Sequence, residues 1–454
     1  MTNTLNAEDL HRLVKQLMDN GNASSLEEAK AMFRSYRLDI TIDATEVKDA
    51  GHQAALLSAV ALARRAFLGG VVVDGPLAAP LQIPLPLGHT LEEAVIGLGG
   101  SPGVGRPGTP TITIGGGPRA RVSPFHVRTA FSGWRGGIVP VHQQPTLHRG
   151  THMPLAPMLA SALAVNEAFL WVQESGSAFG RRPVGLSLWD PSQHTNWLND
   201  GGDEPDLQFL PNNLWLIGLG HLGQAYLWGL GLLPYTDPSQ LSLVLQDVDE
   251  ITGSTESTSI LSDAKLIGMK KTRAMAAWCE SRGFKTKIYE RLFDSNYRRQ
   301  DQEPTVALCG LDNAVGRRAL DQVGFDLAIE AGLGSGYRDF RTLRLHTLPT
   351  SRTASEIWPD ESIEGGIPNG PAYQRLLEEG KLDQCGMTLL AGKAVGAPFV
   401  GATAACLVLS EVLRQLHGGP VHQLIDLDLL SLEQRTVVTH TRDIGALNPG
   451  FVLV

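Results

Sequence analysis

Gly218-Leu-Gly220-His-Leu-Gly223 has the glycine spacing of a phosphate-binding turn. The first glycine permits a tight turn, the second lets backbone approach a phosphate or ribose, and the third lets helix and strand pack closely. A helix opening directly after such a turn presents its N-terminal amides to an anion. Asp247 and Asp249 close the next apolar run, where a carboxylate suits ribose hydroxyls. A dehydrogenase ordinarily uses one acid there. Lys271 follows at the start of a helical stretch, where a cation neutralises the phosphates of a nucleotide that loses pyrophosphate. Asp312, next to Asn313, then offers a carboxylate after a further apolar run, useful to a triphosphate mainly through Mg²⁺. The glycine turn alone admits NAD, FAD or ATP; the ordered set of acids and lysine behind it points to ATP.

Cys385, in Leu382-Asp-Gln-Cys-Gly-Met-Thr388, is the candidate nucleophile. A reactive thiol needs exposure and a lowered pKa, and a glycine-flanked turn ahead of a helix can supply both. An inert loop cysteine is the alternative. Cys309 falls at a strand end and Cys279 and Cys406 fall in helices, the positions of core residues. No two cysteines form a CxxC pair, so a tetrahedral cysteine zinc site has no support.

The elements that position these residues alternate. Asn213–Ile217 forms a strand entering the glycine turn, and Gln224–Leu233 continues as a helix. Leu241–Leu245, Thr305–Leu308 and Leu327–Glu330 are further strands, a pattern that implies a parallel, doubly wound sheet. Upstream, Ile40–Ile42, Val71–Asp74, Thr109–Ile114 and Gly137–Val141 are strands, with apolar helices over His52–Phe67 and Leu155–Val172. Ala160–Glu167 repeats the pattern of Ala404–Glu411, so the first half is expected to be a pseudo-symmetric relative of the second that lacks its glycine turn. Leu10, Leu13, Val14 and Leu17 share one helical face, and Ser25 with Glu28 forms a capping box for a second helix. A helix-turn-helix DNA reader is outweighed there by acidic residues. The Gly/Pro-rich stretch Gly99–Arg106 lacks the Lys-Ser/Thr of a phosphate loop and is expected to be a surface loop. The expected organisation is an N-terminal helical segment (1–38), a degenerate α/β half (39–200) and an ATP-binding half (201–347). A cysteine-bearing crossover (348–397) and a closing helix with strands (398–454) complete it.

The 454 residues carry 43% hydrophobic and 19% charged side chains, enough for more than one core. A net charge of −9 argues against bulk attraction to nucleic acid or an anionic membrane. The N-terminus lacks the basic and apolar regions of a signal peptide, each apolar run is interrupted by charge, Gly or Pro, and four cysteines do not suggest a disulfide framework. A reducing cytoplasm is the expected compartment.

From Leu214 to Gly336, and again from Pro398 to Leu416, the chain resembles the ThiF/MoeB-like superfamily of ubiquitin-activating enzymes. The resemblance rests on Gly218–Gly223, Asp247-Val-Asp249, Gly268 with Lys271, Leu311-Asp-Asn313 and Glu330-Ala-Gly-Leu-Gly334. It implies a Rossmann-like adenylation fold in which Asp247 binds ribose, Lys271 binds phosphate, and Asp312 handles Mg²⁺ and the reacting centre. Asp249, Ser254 and Asn313 are carried as further nucleotide contacts. The Cys385 segment is similar to that of the autophagy-type activating enzymes. One departure stands out: the family's Asn-x-x-Arg-Gln is replaced by Ser254-Thr-Glu-Ser-Thr-Ser259, with Thr258 where the triphosphate-binding arginine is expected. Lys270, Arg273 or an arginine of the N-terminal half must then supply the charge. The implied activity is adenylation of a ubiquitin-like protein, thioester formation on Cys385 and transfer to a conjugating enzyme, by a homodimer or a single-chain pseudo-dimer. The alternatives are adenylation without cysteine transfer, an impaired binding module, and an NAD-dependent oxidoreductase, for which no catalytic His or Tyr-Lys pair is evident.

Overall fold

The structure, a computed structural model, describes all residues except 1–5, 117–122, 148–152, 174–175, 193, 200–203, 360–369, 382–388, 391, 441–446 and 448–449. Its first sheet contains β1 (Leu38–Ile42), β2 (Val71–Asp74), β3 (Ser101–Pro102), β4 (Thr111–Ile114), β5 (His126–Ser132), β6 (Arg135–Pro140) and β7 (Val184–Ser187), in the order β3-β2-β1-β4-β5-β6-β7. The first five in that order are parallel, and β6 and β7 add antiparallel. β8 (Phe209–Pro211) lies between the halves. The second sheet contains β9 (Asn213–Ile217), β10 (Ser242–Gln246), β11 (Lys285–Tyr289), β12 (Val306–Cys309), β13 (Leu327–Leu333), β14 (Thr342–Leu348), β15 (His422–Asp428) and β16 (Arg435–Thr439). Their order is β11-β10-β9-β12-β13-β14-β15-β16. Here too β11 to β13 run parallel and the remaining strands antiparallel. A final strand, β17 (Phe451–Leu453), pairs with β8.

The two sheets therefore share one winding, and the second carries one extra strand. Each has a long helix before its seventh strand in sequence, Leu155–Val172 before β7 and Pro398–Leu416 before β15. Both helices are buried on nearly every face and pack on each other, and one apolar cluster runs through both halves. By length and composition they would suit a membrane, but 89% and 94% of their apolar windows are buried inside the protein. The helix His221–Leu232 reaches the same centre because Gly229 has no Cβ, which would lie 2.5 Å from Leu409 Cδ1. Trp228 Nε1 there donates to Ser58 Oγ of the first half at 2.9 Å.

The sequence repeat has a structural counterpart. Glu167 and Glu411 end the matching stretches, both fully buried. Glu167 accepts the Gly180 amide at 2.9 Å, and Glu411 accepts the His422 amide at 2.9 Å. Each carboxylate thus fixes the chain as it turns back toward the seventh strand. Glu411 is also paired with Arg414, which is wholly buried, whereas Glu167 is paired with Arg182, whose side chain is 31% exposed.

The stretch Gly99–Arg106 is a loop that contains the short edge strand β3. Strands are expected without bounds in 398–454, where β15 and β16 lie; the sequence pattern does not mark β5, β7, β11 or β14, which the fold adds. Glu411→Ala strands a buried guanidinium and is expected to cost about 3–5 kcal/mol. Glu167→Ala, with a partly solvated partner, is expected to cost less; denaturant midpoints of the two variants measure the difference, and equal midpoints would contradict it.

Candidate nucleotide site

The glycine turn joins β9 to the helix His221–Leu232 at the C-terminal edge of the parallel strands, where open α/β sheets bind ligands. Gly218 has φ +83°, a left-handed conformation that glycine adopts without steric cost. A Cβ on Gly223 would lie 2.1 Å from the Gly218 carbonyl oxygen, so this glycine sets how closely helix and turn approach. A Cβ on Gly220 would meet nothing within 4 Å. Gly220 is the helix N-cap and contributes no side-chain cap, which suits the first-turn amides to an external anion. His221, next in the turn, is half-buried with its ring Nε2 shielded from solvent, and desolvation holds its imidazole down to about 4, so it is neutral.

Asp247 braces the turn. Its Oδ2 accepts the Leu219 amide at 2.7 Å and its Oδ1 accepts the Asp249 amide at 2.8 Å. Lys271 opens the helix Lys271–Ser281, with Nζ 2.9 Å from Asp249 Oδ2 and 3.8 Å from Asp247 Oδ2. Asp312 is exposed just beyond β12. The backbone before it is fixed by Arg317, which donates to the Leu311 carbonyl at 2.7 Å while Nε lies 2.7 Å from buried Glu330. Asn313 caps the helix Ala314–Arg318, its Oδ1 accepting the Gly316 amide at 2.7 Å.

Ser254 to Thr258 lie in the short helix Gly253–Thr258. The Thr258 hydroxyl donates to the Ser254 carbonyl at 3.3 Å, and its methyl carbon sits 2.9 Å from where a Cβ on Gly396 would be. The expected place for an arginine is thus filled by the crossover. Two of the expected replacements are engaged elsewhere: Lys270 with the Val248 carbonyl and Glu250, and Arg273 in a bidentate pair with Glu290.

The third option is an arginine of the N-terminal half; the arginine found against this segment is Arg12, from the N-terminal helical segment that precedes that half. It opens the helix Arg12–Asp19, donates its amide to Ser257 Oγ at 3.1 Å and Nη2 to Ser254 Oγ at 3.0 Å. Glu8 lies 3.8 Å away. Its Nη1 is buried without a hydrogen-bond partner among the described residues. Burial lowers the guanidinium pKa, and the nearby charges of Glu8 and Asp312 oppose that shift. A buried, charged donor without a partner is expensive unless a ligand satisfies it. Two further arginines of the first half hold the same segment in place. Arg65, wholly buried, donates to the carbonyls of Glu256, Ile260 and Ser262, and Arg64 pairs with the Glu256 carboxylate. Gln224 ties Ser262 back to the glycine turn through the Leu219 carbonyl at 3.1 Å.

Sequence reasoning missed these three arginines as site residues. Arg12 lies beside an apolar stripe and Arg64 and Arg65 end an apolar helix, where basic residues ordinarily face solvent. Cys385 lies outside the described residues. The other three cysteines are buried, and burial pushes the Cys309 thiol up to about 12 and the Cys279 and Cys406 thiols higher, as suits core residues.

Together, two doubly wound halves and one glycine turn ringed by acids and cations define an E1-like arrangement. Models of the BilD N-terminal and C-terminal domains match residues 37–188 and 210–419. The chain is 45% identical over 428 residues to the "Bacterial E1-like protein BilD" of Collimonas sp. (strain OK412), covering 94% of this chain and 92% of that protein. The chain belongs to the BilD family of bacterial E1-like proteins. Among solved structures, E. coli MccB matches with TM-score 0.36 and 10% identity, over 69% of this chain and 93% of that one. PaaA matches with TM-score 0.33 and 11% identity over 50% and 64%, and the E. coli tRNA N6-threonylcarbamoyladenosine dehydratase TcdA with 0.30 and 12% over 46% and 86%.

Gly220→Ala is expected to lower the unfolding midpoint less than Gly223→Ala, because its Cβ would meet nothing within 4 Å and only its ψ of −138° disfavours Ala. It is expected to weaken nucleotide binding at least about tenfold by crowding the space before the helix amides. Gly223→Ala is expected to lower both. Calorimetry and thermal unfolding of the two variants separate these outcomes.

Proposed function

We propose that the C-terminal half binds ATP with Mg²⁺ and adenylates the C-terminal carboxylate of a ubiquitin-like protein. The observation that carries this is the Arg12 donor, unpartnered among the described residues, beside Ser254 and within electrostatic reach of Asp312, which adds a second cation to a glycine turn already flanked by Lys271. Asp247 suits the ribose hydroxyls, and the amides after Gly220 with Lys271 and Arg12 suit the phosphates. In this reading Asp312 would hold Mg²⁺, which would offset charge on the phosphate oxygens. A carboxylate oxygen of the substrate then bonds to the α-phosphorus, the bond to the bridging oxygen breaks, and pyrophosphate leaves. The protein contributes positioning and charge neutralisation.

The first half takes the part of a non-catalytic partner in this reading. Its connection after β1, in the matching place of the fold, carries Asp43, Glu46 and Asp49 and no glycine, and Glu46 accepts the Gly116 amide at 3.2 Å. Three acids there oppose a triphosphate. Its contribution is made through Arg64 and Arg65, so one chain serves as a pseudo-dimer.

For the second step, the Cys385 sulfur attacks the acyl carbon, its proton goes to solvent, and AMP leaves with the bonding pair, giving a thioester for a conjugating enzyme. The sequence similarity around Cys385 supports this step. ATP–pyrophosphate exchange driven by the carrier protein is expected to fall by at least about a hundredfold in Asp312→Ala, and exchange that survives unchanged would sink the mechanism. Cys385→Ala is expected to keep exchange and lose the thiol-sensitive carrier adduct. An adduct that persists would leave adenylation without cysteine transfer as the activity.

A further inference from the structure

Glu8, in the short 3-10 turn Ala7–Asp9, sits where two distant segments meet. Its carboxylate lies 3.8 Å from Arg12 Nη2 and accepts the Ser254 hydroxyl at 3.3 Å. It is also ion-paired with Lys393. Lys393 belongs to the crossover that returns to the helix Pro398–Leu416, two residues before Val395, whose amide donates to the Ser335 carbonyl at 2.8 Å. The same crossover is fastened to the N-terminal helices at two other carboxylates: Tyr373 donates to Asp19, and Lys381 pairs with Glu27 at 3.0 Å. Of the three carboxylates, Glu8 alone also faces the guanidinium at the nucleotide site.

The energetics of these contacts are unequal. Arg12 is 13% exposed with an unpartnered donor, while Glu8 and Lys393 are 39% and 30% exposed. Exposed ion pairs are weak and exchange partners readily, whereas a buried guanidinium gains most from a bidentate anion. A phosphate oxygen arriving at Nη1 would face the Glu8 carboxylate, 3.8 Å from Nη2 of the same guanidinium, and the two like charges repel while Lys393 offers Glu8 a second cation.

We propose that Glu8 is a positioning residue whose carboxylate is shared between Arg12 and Lys393, so that a triphosphate bound at Arg12 shifts Glu8 onto Lys393 and couples nucleotide occupancy to the crossover. The proposal rests on the reading of Arg12 as the triphosphate's cation. It gives Glu8 an antagonistic role toward ATP and Lys393 an assisting one, although Lys393 need not touch the nucleotide.

The test is calorimetric titration of the full-length protein with ATP–Mg²⁺ and with AMP. Glu8→Gln is expected to tighten ATP about three- to fivefold and leave AMP unchanged. A gain of affinity is not what a merely structural lesion produces. Lys393→Ala is expected to weaken ATP in the wild-type background and to have no effect in the Glu8→Gln background. ATP affinity that is unchanged or weaker in Glu8→Gln, or a Lys393→Ala effect that persists without Glu8, would overturn the proposal. Arg12→Ala separates the two levels. If it leaves ATP affinity intact, the underlying reading of Arg12 falls; if it weakens ATP while Glu8→Gln fails to tighten it, only the shared carboxylate falls.

Discussion

Charge balance at the glycine turn governs this molecule. A triphosphate entering the site would meet Asp247, Asp249 and Asp312, and Lys271 is already paired with the first two of these. Helix amides contribute only partial charge. In the proposed reading a second cation is needed, and the segment where the superfamily resemblance implies one carries Thr258 instead, its methyl 2.9 Å from where a Cβ on Gly396 would be. The guanidinium instead arrives on the N-terminal helix, at Ser254, from far away along the chain. Much of the surrounding architecture holds that helix and the Gly253–Thr258 helix against each other.

The pseudo-symmetry of the two halves makes this delivery possible. The helices Leu155–Val172 and Pro398–Leu416 pack together at the centre, so the first half lies against the second without a separate subunit. In the proposed reading the first half does not bind nucleotide, and Asp43, Glu46 and Asp49 lie after β1, in the place of the second half's glycine turn. It supplies Arg64 and Arg65 to the carbonyls of Glu256, Ile260 and Ser262, in and just after the Gly253–Thr258 helix. Burial brings Arg65 down only to about 9, so it is still charged at neutral pH.

What the sequence revealed follows from which forces are local. The glycine turn, the strand β9 and the two long apolar helices were legible because such glycine spacing and such long apolar runs arise in few kinds of local structure. The repeat was visible because Glu167 and Glu411 do the same work at the same place. Strand β14 was not legible, and β15 and β16 were expected only as strands without bounds in 398–454: residues such as Arg344 and Asp426 lie on β14 and β15, paired across them, and their alternation with apolar residues is too short to stand out. Asp247, Lys271 and Asp312 do come to one strand edge, as their order suggested. Asn313 is a helix cap, a local role that its position before Ala314 could have signalled. Arg12 was invisible as a site residue because nothing near it in sequence is a ligand; only the folded chain brings Ser254 and Asp312 to it.

The central claim is that Arg12 completes the charge of the triphosphate site. The most direct measurement is an experimental structure of the full-length protein with Mg²⁺ and a non-hydrolysable ATP analogue. The account predicts an Arg12 guanidinium nitrogen within about 3 Å of a β- or γ-phosphate oxygen. A bound triphosphate with Arg12 still held on Glu8 and Ser254, and a different cation on its phosphates, would contradict it.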